Sequence, residues 1–268
     1  MSPAASTSST AGQIRIKSVP PQAVLRWLAL GWRDLRRAGF PSLLHGIIVS
    51  VISIAAIALT FVYWQLLPGL MSGFVIVGPF LATGLYALSC RIEKNQPTSL
   101  QDAINAWRHG SRCLIFFGIL LVLAASAWVL FSVAMFHLFI QVEINRPLDF
   151  FRYVLVQDNS QFILWTILGG LGSALAFAVT VCTLPLLVER DINTSDAIHA
   201  SVRAVSENSL TMVIWALTIL IIIGLSFITL MLGFIVLYPL LGHASWHVYR
   251  DLIDAESLNP RCEFPSDE

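Results

Sequence analysis

Residues 38–90 read AGFPSLLHGIIVSVISIAAIALTFVYWQLLPGLMSGFVIVGPFLATGLYALSC, 53 positions without one Asp, Glu, Lys or Arg. A bilayer core is about 30 Å thick, and about 20 apolar residues cross it as a helix. The stretch is therefore long enough for two crossings. Pro68 and Gly69 supply a turn between them, and Gly78-Pro79 predicts a kink inside the second. Three further stretches also lack charge: 113–142, 159–188 and 208–249, of 30, 30 and 42 residues. They read as one, one and two crossings. The last is two short helices with a turn near 229–233, since a single helix would run about 63 Å at 1.5 Å per residue; a re-entrant hairpin is the alternative.

The expected fold is all-α, a polytopic membrane bundle of six transmembrane helices with short amphipathic surface helices. The spans fall at about 42–64, 69–90, 113–136, 162–187, 210–228 and 231–249. Residues 1–19 read as a disordered cytoplasmic tail, 20–253 as the membrane domain and 254–268 as an acidic cytoplasmic tail. Composition agrees: 56% of residues are hydrophobic, 12% are charged, and mean hydropathy is +0.76, against about 25% charged residues in average chains.

Sixteen basic residues balance sixteen acidic ones. No basic stripe carries interleaved aromatics, so nucleic acid is not an expected partner. The distribution of charge says more than its sum. In a six-span chain, fourteen of the sixteen Lys and Arg residues fall on the side of the termini, and only Arg146 and Arg152 fall opposite. Cytoplasmic loops carry this excess, so both termini are expected in the cytoplasm. The first apolar run starts too late and runs too long for a secretory signal. Cys90, Cys113, Cys182 and Cys262 form no zinc spacing and are expected as reduced, packed thiols.

Three segments should lie on the membrane surface. After Pro20-Pro21, a helix start, Leu25, Leu28, Trp32 and Leu35 follow helical spacing, with Arg26, Arg33, Arg36 and Arg37 around them. Such a helix suits anionic headgroups, or simply flanks the first span. Arg33, Arg36, Arg37 and Arg250 are the candidate headgroup contacts. Two later loops resemble each other: Thr98 to Ile104, and Thr194-Ser195-Asp196-Ala197-Ile198. Ser99 and Asp102 predict a capping box. Leu100, Ala103, Ile104 and Trp107 should form one apolar face, and Ile198, Val202 and Val205 the other. The match suggests an internal repeat of the kind found in carriers. Leu148, Phe151, Tyr153 and Leu155 could rest at the far interface, and Trp128, Trp165, Trp215, Tyr238 and Trp246 read as parts of aromatic belts.

Chemistry is harder to find. Ionisable groups at membrane depth usually mark function, and none of the six spans contains an Asp, Glu, Lys or Arg. Backbone unwound near Pro79, Pro185 or Pro239 is the remaining way to bind a solute. His243 and His247 stand four apart on one helix face, a spacing that suits a metal or haem. No further ligand of matching depth accompanies them, so no metal is expected, and hydrogen bonding beside Arg250 and Asp251 is the preferred role. His45 and His109 lie toward the same side, and His137 reads as interfacial. Gly170, Ala174 and Ala178 form a small-residue stripe for helix packing, inside the bundle or between two copies. There is no phosphate loop, nucleophile elbow or HExxH. No catalytic residue can be named, no cofactor is expected, and an enzyme reading has nothing to rest on.

Several of these segments together resemble a known family. They are Gly31-Trp32-Arg33-Asp34-Leu35-Arg36-Arg37, Gly78-Pro79 with Gly84-Leu85-Tyr86, the loop from Pro97 to Trp107, Leu184-Pro185-Leu186-Leu187, and Leu241-Gly242-His243-Ala244-Ser245-Trp246-His247 through Tyr249-Arg250-Asp251. The pattern is similar to a bacterial family of integral membrane proteins catalogued as domain of unknown function 2189, over roughly residues 25–253. The resemblance implies a bacterial inner membrane and six spans. The family has no assigned activity, so no catalytic residue carries over. The expected role is non-enzymatic, through contacts with membrane lipids, a second copy or another membrane protein. A small-solute carrier or channel is the first alternative, and a haem or metal protein the second.

Overall fold

A computed structural model describes residues 14–63, 65–108, 110–139 and 160–261. Residues 1–13, Trp64, His109, Arg146, Leu148, Phe151, Arg152, Tyr153, Leu155 and Cys262 lie outside the described residues, as does the His137 side chain.

The helices are α1 (Ala23–Ala38), α2 (Phe40–Thr60), α3 (Leu66–Leu81), α4 (Thr83–Glu93), α5 (Leu100–Arg108) and α6 (Arg112–Phe139). They continue with α7 (Ser160–Thr180), α8 (Thr183–Glu189), α9 (Thr194–Glu207), α10 (Ser209–Ile228) and α11 (Phe234–Leu252). The architecture is all-α. Five described helices are long and apolar enough to cross a membrane: Phe40–Thr60, Ser72–Glu93, Arg112–Met135, Phe162–Glu189 and Ser209–Ile228. Helix α11 is outside this set, because its 19 residues include His243, His247, Arg250 and Asp251. The stretch 208–249 forms two helices, α10 and α11, joined by a turn at 229–233 in which Leu230 and Met231 adopt φ of 51° and 68°.

The bundle wears its large apolar side chains outward. Phe116, Leu123, Leu171, Leu175 and Ile221 are all more than half exposed, the pattern of helices solvated by lipid. In the interior, small residues at helix crossings admit close backbone approach, beside large buried side chains such as Trp27, Trp215 and Trp246. Helix α11 is central, packed by α1, α2, α4 and α10. A Cβ on Gly31 of α1 would stand 2.7 Å from the Ala244 nitrogen, and one on Gly242 would stand 2.5 Å from Leu85 Cδ1. One on Gly46 of α2 would collide with the Ile235 carbonyl. Between α1 and α2, Gly39 turns the chain at φ 60° while its N–H closes α1 on the Leu35 carbonyl at 2.9 Å.

This logic corrects the apolar faces expected from sequence. Helix α1 buries Val24, Trp27, Gly31, Asp34, Leu35 and Ala38, while Leu25 is 74% and Trp32 44% exposed. The packed face is turned by one position, about 100° around the helix. In α5 the buried residues are Ala103, Asn105 and Ala106, with Leu100 and Ile104 outward. In α9 they are Asp196, Ala197, Ala200, Ser201 and Ala204, with Val202 outward. In α5 and α9 small side chains take the inner face, while α1 combines Gly31 and Ala38 with the large Trp27 and Leu35.

Three other expectations change. Residues 14–19 do not hang free: Ile14 is buried, and the strand Arg15–Ile16 pairs antiparallel with Ile253–Asp254. The chain after α11 is packed too, with Ala255 buried and the Arg261 N–H on the Glu189 carbonyl at 2.7 Å. Among the belt aromatics, Trp215, Trp246 and Tyr238 are buried in the bundle, where Trp215 meets Trp27 edge-on at 5.8 Å. Trp128 and Trp165 instead donate to Ser72 and Ser132, tying α3, α6 and α7 together. Cys113 and Cys182 are free thiols, but Cys90 is disulfide-bonded to a partner outside the described residues, so it is not the reduced thiol expected.

Candidate functional site: a buried polar chain on the central helix

The polar residues of α11 recur at 243, 247 and 250, one face of a helix of 3.6 residues per turn. Each meets a different neighbour. His243, fully buried, lies between two hydroxyls: Ser42 Oγ of α2 is 2.8 Å from Nε2 and Ser89 Oγ of α4 is 2.7 Å from Nδ1. Ser89 gives its own proton to Asp34 Oδ2 of α1 at 3.1 Å. It must then accept from His243, which places a proton on Nδ1 and leaves Nε2 to accept from Ser42. One turn on, His247 Nε2 donates to the same Asp34 oxygen at 2.8 Å. The result is a directional chain, Ser42 to His243 to Ser89 to Asp34, closed from the other end by His247.

Asp34 is the anchor. Its side chain is 1% exposed, and Oδ1 has no hydrogen-bond partner. The nearest cation to Oδ1 is the Arg33 Nε at 3.8 Å. A carboxylate at such burial requires donors, since an unpaired buried charge is costly. Ser89 and His247 supply them. His45, on the other side of α4, donates from Nδ1 to the Pro41 carbonyl at 3.1 Å and packs so closely that a Cβ on Gly84 would stand 2.5 Å from its Nε2.

Below the histidines lies an ionic layer. Arg250 reaches Glu93 at 2.9 Å and Glu189 at 3.2 Å, the last residues of α4 and α8. Trp246 Nε1 also donates to Glu93 at 3.0 Å, and the Tyr249 hydroxyl to Glu189 at 2.5 Å. On the opposite flank Asp251 accepts from Arg26 and from Trp27 Nε1. The two carboxylates gripped by Arg250 occupy matching places. Helix α3 stops at Ala82 before α4, and α7 stops before α8 at 181–182. A capped surface helix then follows each. Ser99 and Asp102 form the reciprocal box expected, at 2.6 to 3.3 Å. Asn193 caps α9 by accepting from the Asp196 N–H at 2.8 Å.

The order hydroxyl, imidazole, hydroxyl, carboxylate polarises Ser42 in the sense of a nucleophile triad. Ser42 is nonetheless 0% exposed, and it lines neither principal cavity. The Ser42 hydroxyl is taken up by His243 inside the packed bundle. What the chain does is fasten α1, α2 and α4 to α11.

The structure brings His243 and His247 onto one network but engages both His243 nitrogens and the His247 Nε2 in hydrogen bonds. Among the described residues no three His, Cys, Asp or Glu side chains cluster as a metal site. Arg33, Arg36 and Arg37 are exposed on α1, with Arg36 5.8 Å above the Trp32 ring, whereas Arg250 is committed to its carboxylates. Gly170 and Ala174 are exposed, and a Cβ at Gly170 would meet nothing within 4 Å; Ala178 is half-buried. Sequence reasoning missed Asp34, Ser42, Ser89, Glu93 and Glu189. Glu189 carried a signal: it is the acidic residue that closes the charge-free run 159–188, shortly before a helix cap.

Two cavities adjoin the network's helices. One of about 100 Å³ lies at the Gly78-Pro79 break, walled by Tyr86, Thr180, Tyr238 and Ser245, with the Tyr238 hydroxyl donating to the Gly78 carbonyl at 2.9 Å. The other, about 560 Å³, opens between α2 and α3.

Residues 66–189 match a family model described as predicted integral membrane protein (DUF2189), the family that the sequence motifs resemble. The matched stretch is narrower than that resemblance and leaves out α1 and α11. No curated protein and no solved structure matches the chain.

Proposed function

We propose that this integral membrane protein is non-enzymatic and acts through lipid contacts, seated in a bacterial inner membrane with both termini cytoplasmic. The outward face of α1 carries the proposal. Leu25 and Trp32 are 74% and 44% exposed, beside exposed Arg33, Arg36 and Arg37, and Phe40 at the start of α2 is 65% exposed. Apolar side chains that no neighbour covers, interleaved with cations, fit the boundary between acyl chains and anionic headgroups. The inner face of the same helix is fixed to α11 through Trp27, Gly31 and Asp34. The helix is therefore a rigid shelf, held at one height.

Trp32 fluorescence in nanodiscs tests this. Brominated phosphatidylglycerol should quench it more strongly than brominated phosphatidylcholine, with Trp32→Phe giving the background of the other tryptophans. Reversing Arg33, Arg36 and Arg37 to Glu should abolish the preference, since each cation near the surface contributes about 1 kcal/mol. Equal quenching by the two lipids in the unmodified protein would sink the reading.

The small cavity at the Pro79 break favours a carrier as the second reading. Pro79 offers no N–H to the Val75 carbonyl, and Val75 lines the cavity. On this reading Thr180→Cys and Ser245→Cys react with a membrane-impermeant maleimide; unreactive thiols at both positions argue for a sealed void.

A further inference from the structure

We infer that the groove between α2 and α3 is a binding site for one phospholipid acyl chain, entered sideways from the bilayer. This goes beyond the α1 headgroup contact and lies at the other end of the spans. The groove opens where α2 leaves α11. Gly46 of α2 lies on the Ile235 backbone, and Ser50 Oγ donates to the Met231 carbonyl at 3.0 Å. Past Ser50, Val51, Ile54 and Leu59 are 60%, 42% and 45% exposed, while Thr60 at the end of the helix is buried. Helix α3 leans the other way, onto α6, where a Cβ on Gly69 would stand 3.0 Å from the Val129 Cα. The divergence leaves about 560 Å³, within the roughly 300–1,000 Å³ typical of ligand pockets.

The chemistry of the walls selects the occupant. Every lining residue comes from a charge-free stretch of the sequence. The Thr60 hydroxyl is turned back onto its own helix, to Ile57 O at 2.6 Å, and the Ser126 hydroxyl likewise to Val122 O at 2.8 Å. Met231 O is taken by Ser50. Ser53 is the one further hydroxyl on the walls, and so few polar groups cannot replace the water around a polar solute. Ile52 both lines the groove and is 55% exposed, so the opening faces the medium around α2. That medium is hydrocarbon, and a linear acyl chain fits a slot between two helices.

The test uses the full chain in phosphatidylethanolamine/phosphatidylglycerol vesicles containing phosphatidylcholine with a diazirine on one acyl chain. After photolysis, mass spectrometry should place label on the groove walls about tenfold above the lipid-facing side of α7, the excess expected of a bound over a passing chain. Ser53→Phe with Ala56→Trp, which fill the slot from the α2 side, should remove that excess, and Ile167→Trp on α7 should not. Uniform labelling along all lipid-facing helices, or an excess that survives filling, overturns the proposal. Disulfide trapping of Ser53→Cys with cysteines placed in 140–159, or in a second copy, would overturn it too by assigning the groove to protein. None of these outcomes depends on Arg33, Arg36 or Arg37, so failure here and failure of the headgroup contact are distinguishable.

Discussion

Asp34 shows how one side chain can hold several elements. It accepts from Ser89 and His247, so Asp34→Ala leaves two buried donors unmatched, each at about 1–3 kcal/mol. Ser42 stands at the far end of the same chain, and Ser42→Ala removes one hydrogen bond at about 1 kcal/mol. Thermal unfolding in detergent should therefore show the larger fall for Asp34→Ala and a small one for Ser42→Ala; the reverse order would contradict the directional chain. None of this was legible in the sequence. Asp34 sits among arginines in a segment that looks like a surface helix, and the hydroxyls of Ser42 and Ser89 are indistinguishable from others in apolar runs. Only His243 and His247 announced themselves, and their spacing pointed to metal chemistry as readily as to a carboxylate.

Among the elements, the long helices were readable because lipid removes the competing signal: a charge-free run of sufficient length has few other homes. The faces were not readable, and α1, α5 and α9 show why. Periodicity was weighed by hydrophobicity, as for a protein in water, whereas here the large aliphatic residues turn toward lipid and Ala103, Ala106, Ala197 and Ala200 turn inward. Helix–helix fit, which one-dimensional patterns do not encode, set the orientation. The Arg250 layer gives an element-level prediction. Glu93 is 40% exposed at its side chain and Glu189 only 8%. Glu93→Gln should thus cost at most about 1 kcal/mol, while Arg250→Gln, which strands Glu189 in the interior, should cost roughly 3–5 kcal/mol. Chemical or thermal unfolding of the two variants under one condition checks the ordering. Equal losses would mean that Glu189 draws its stability from Tyr249 and Arg190 instead.

On the scale of the whole molecule, orientation is the property with two opposed indications. The arginine excess argues for termini in the cytoplasm. The Cys90 disulfide is a bond that oxidising compartments sustain and the cytoplasm does not. We expect the charge asymmetry, spread over fourteen residues, to prevail. In intact cells Val62→Cys or Leu230→Cys, 72% and 78% exposed in the native residues, should then react with an impermeant maleimide, and Ser99→Cys only after lysis. The opposite labelling pattern with an oxidised Cys90 would invert the molecule.

The short pairing of Arg15–Ile16 with Ile253–Asp254 has a consequence for the topology of the chain itself. It brings a segment near the start of the described residues beside one near their end, so that part of the polypeptide is nearly a ring. The break between its ends becomes a matter of gene order rather than of architecture. A version joined end to end and opened elsewhere, at the exposed 94–98 loop for instance, retains the same set of helix neighbours.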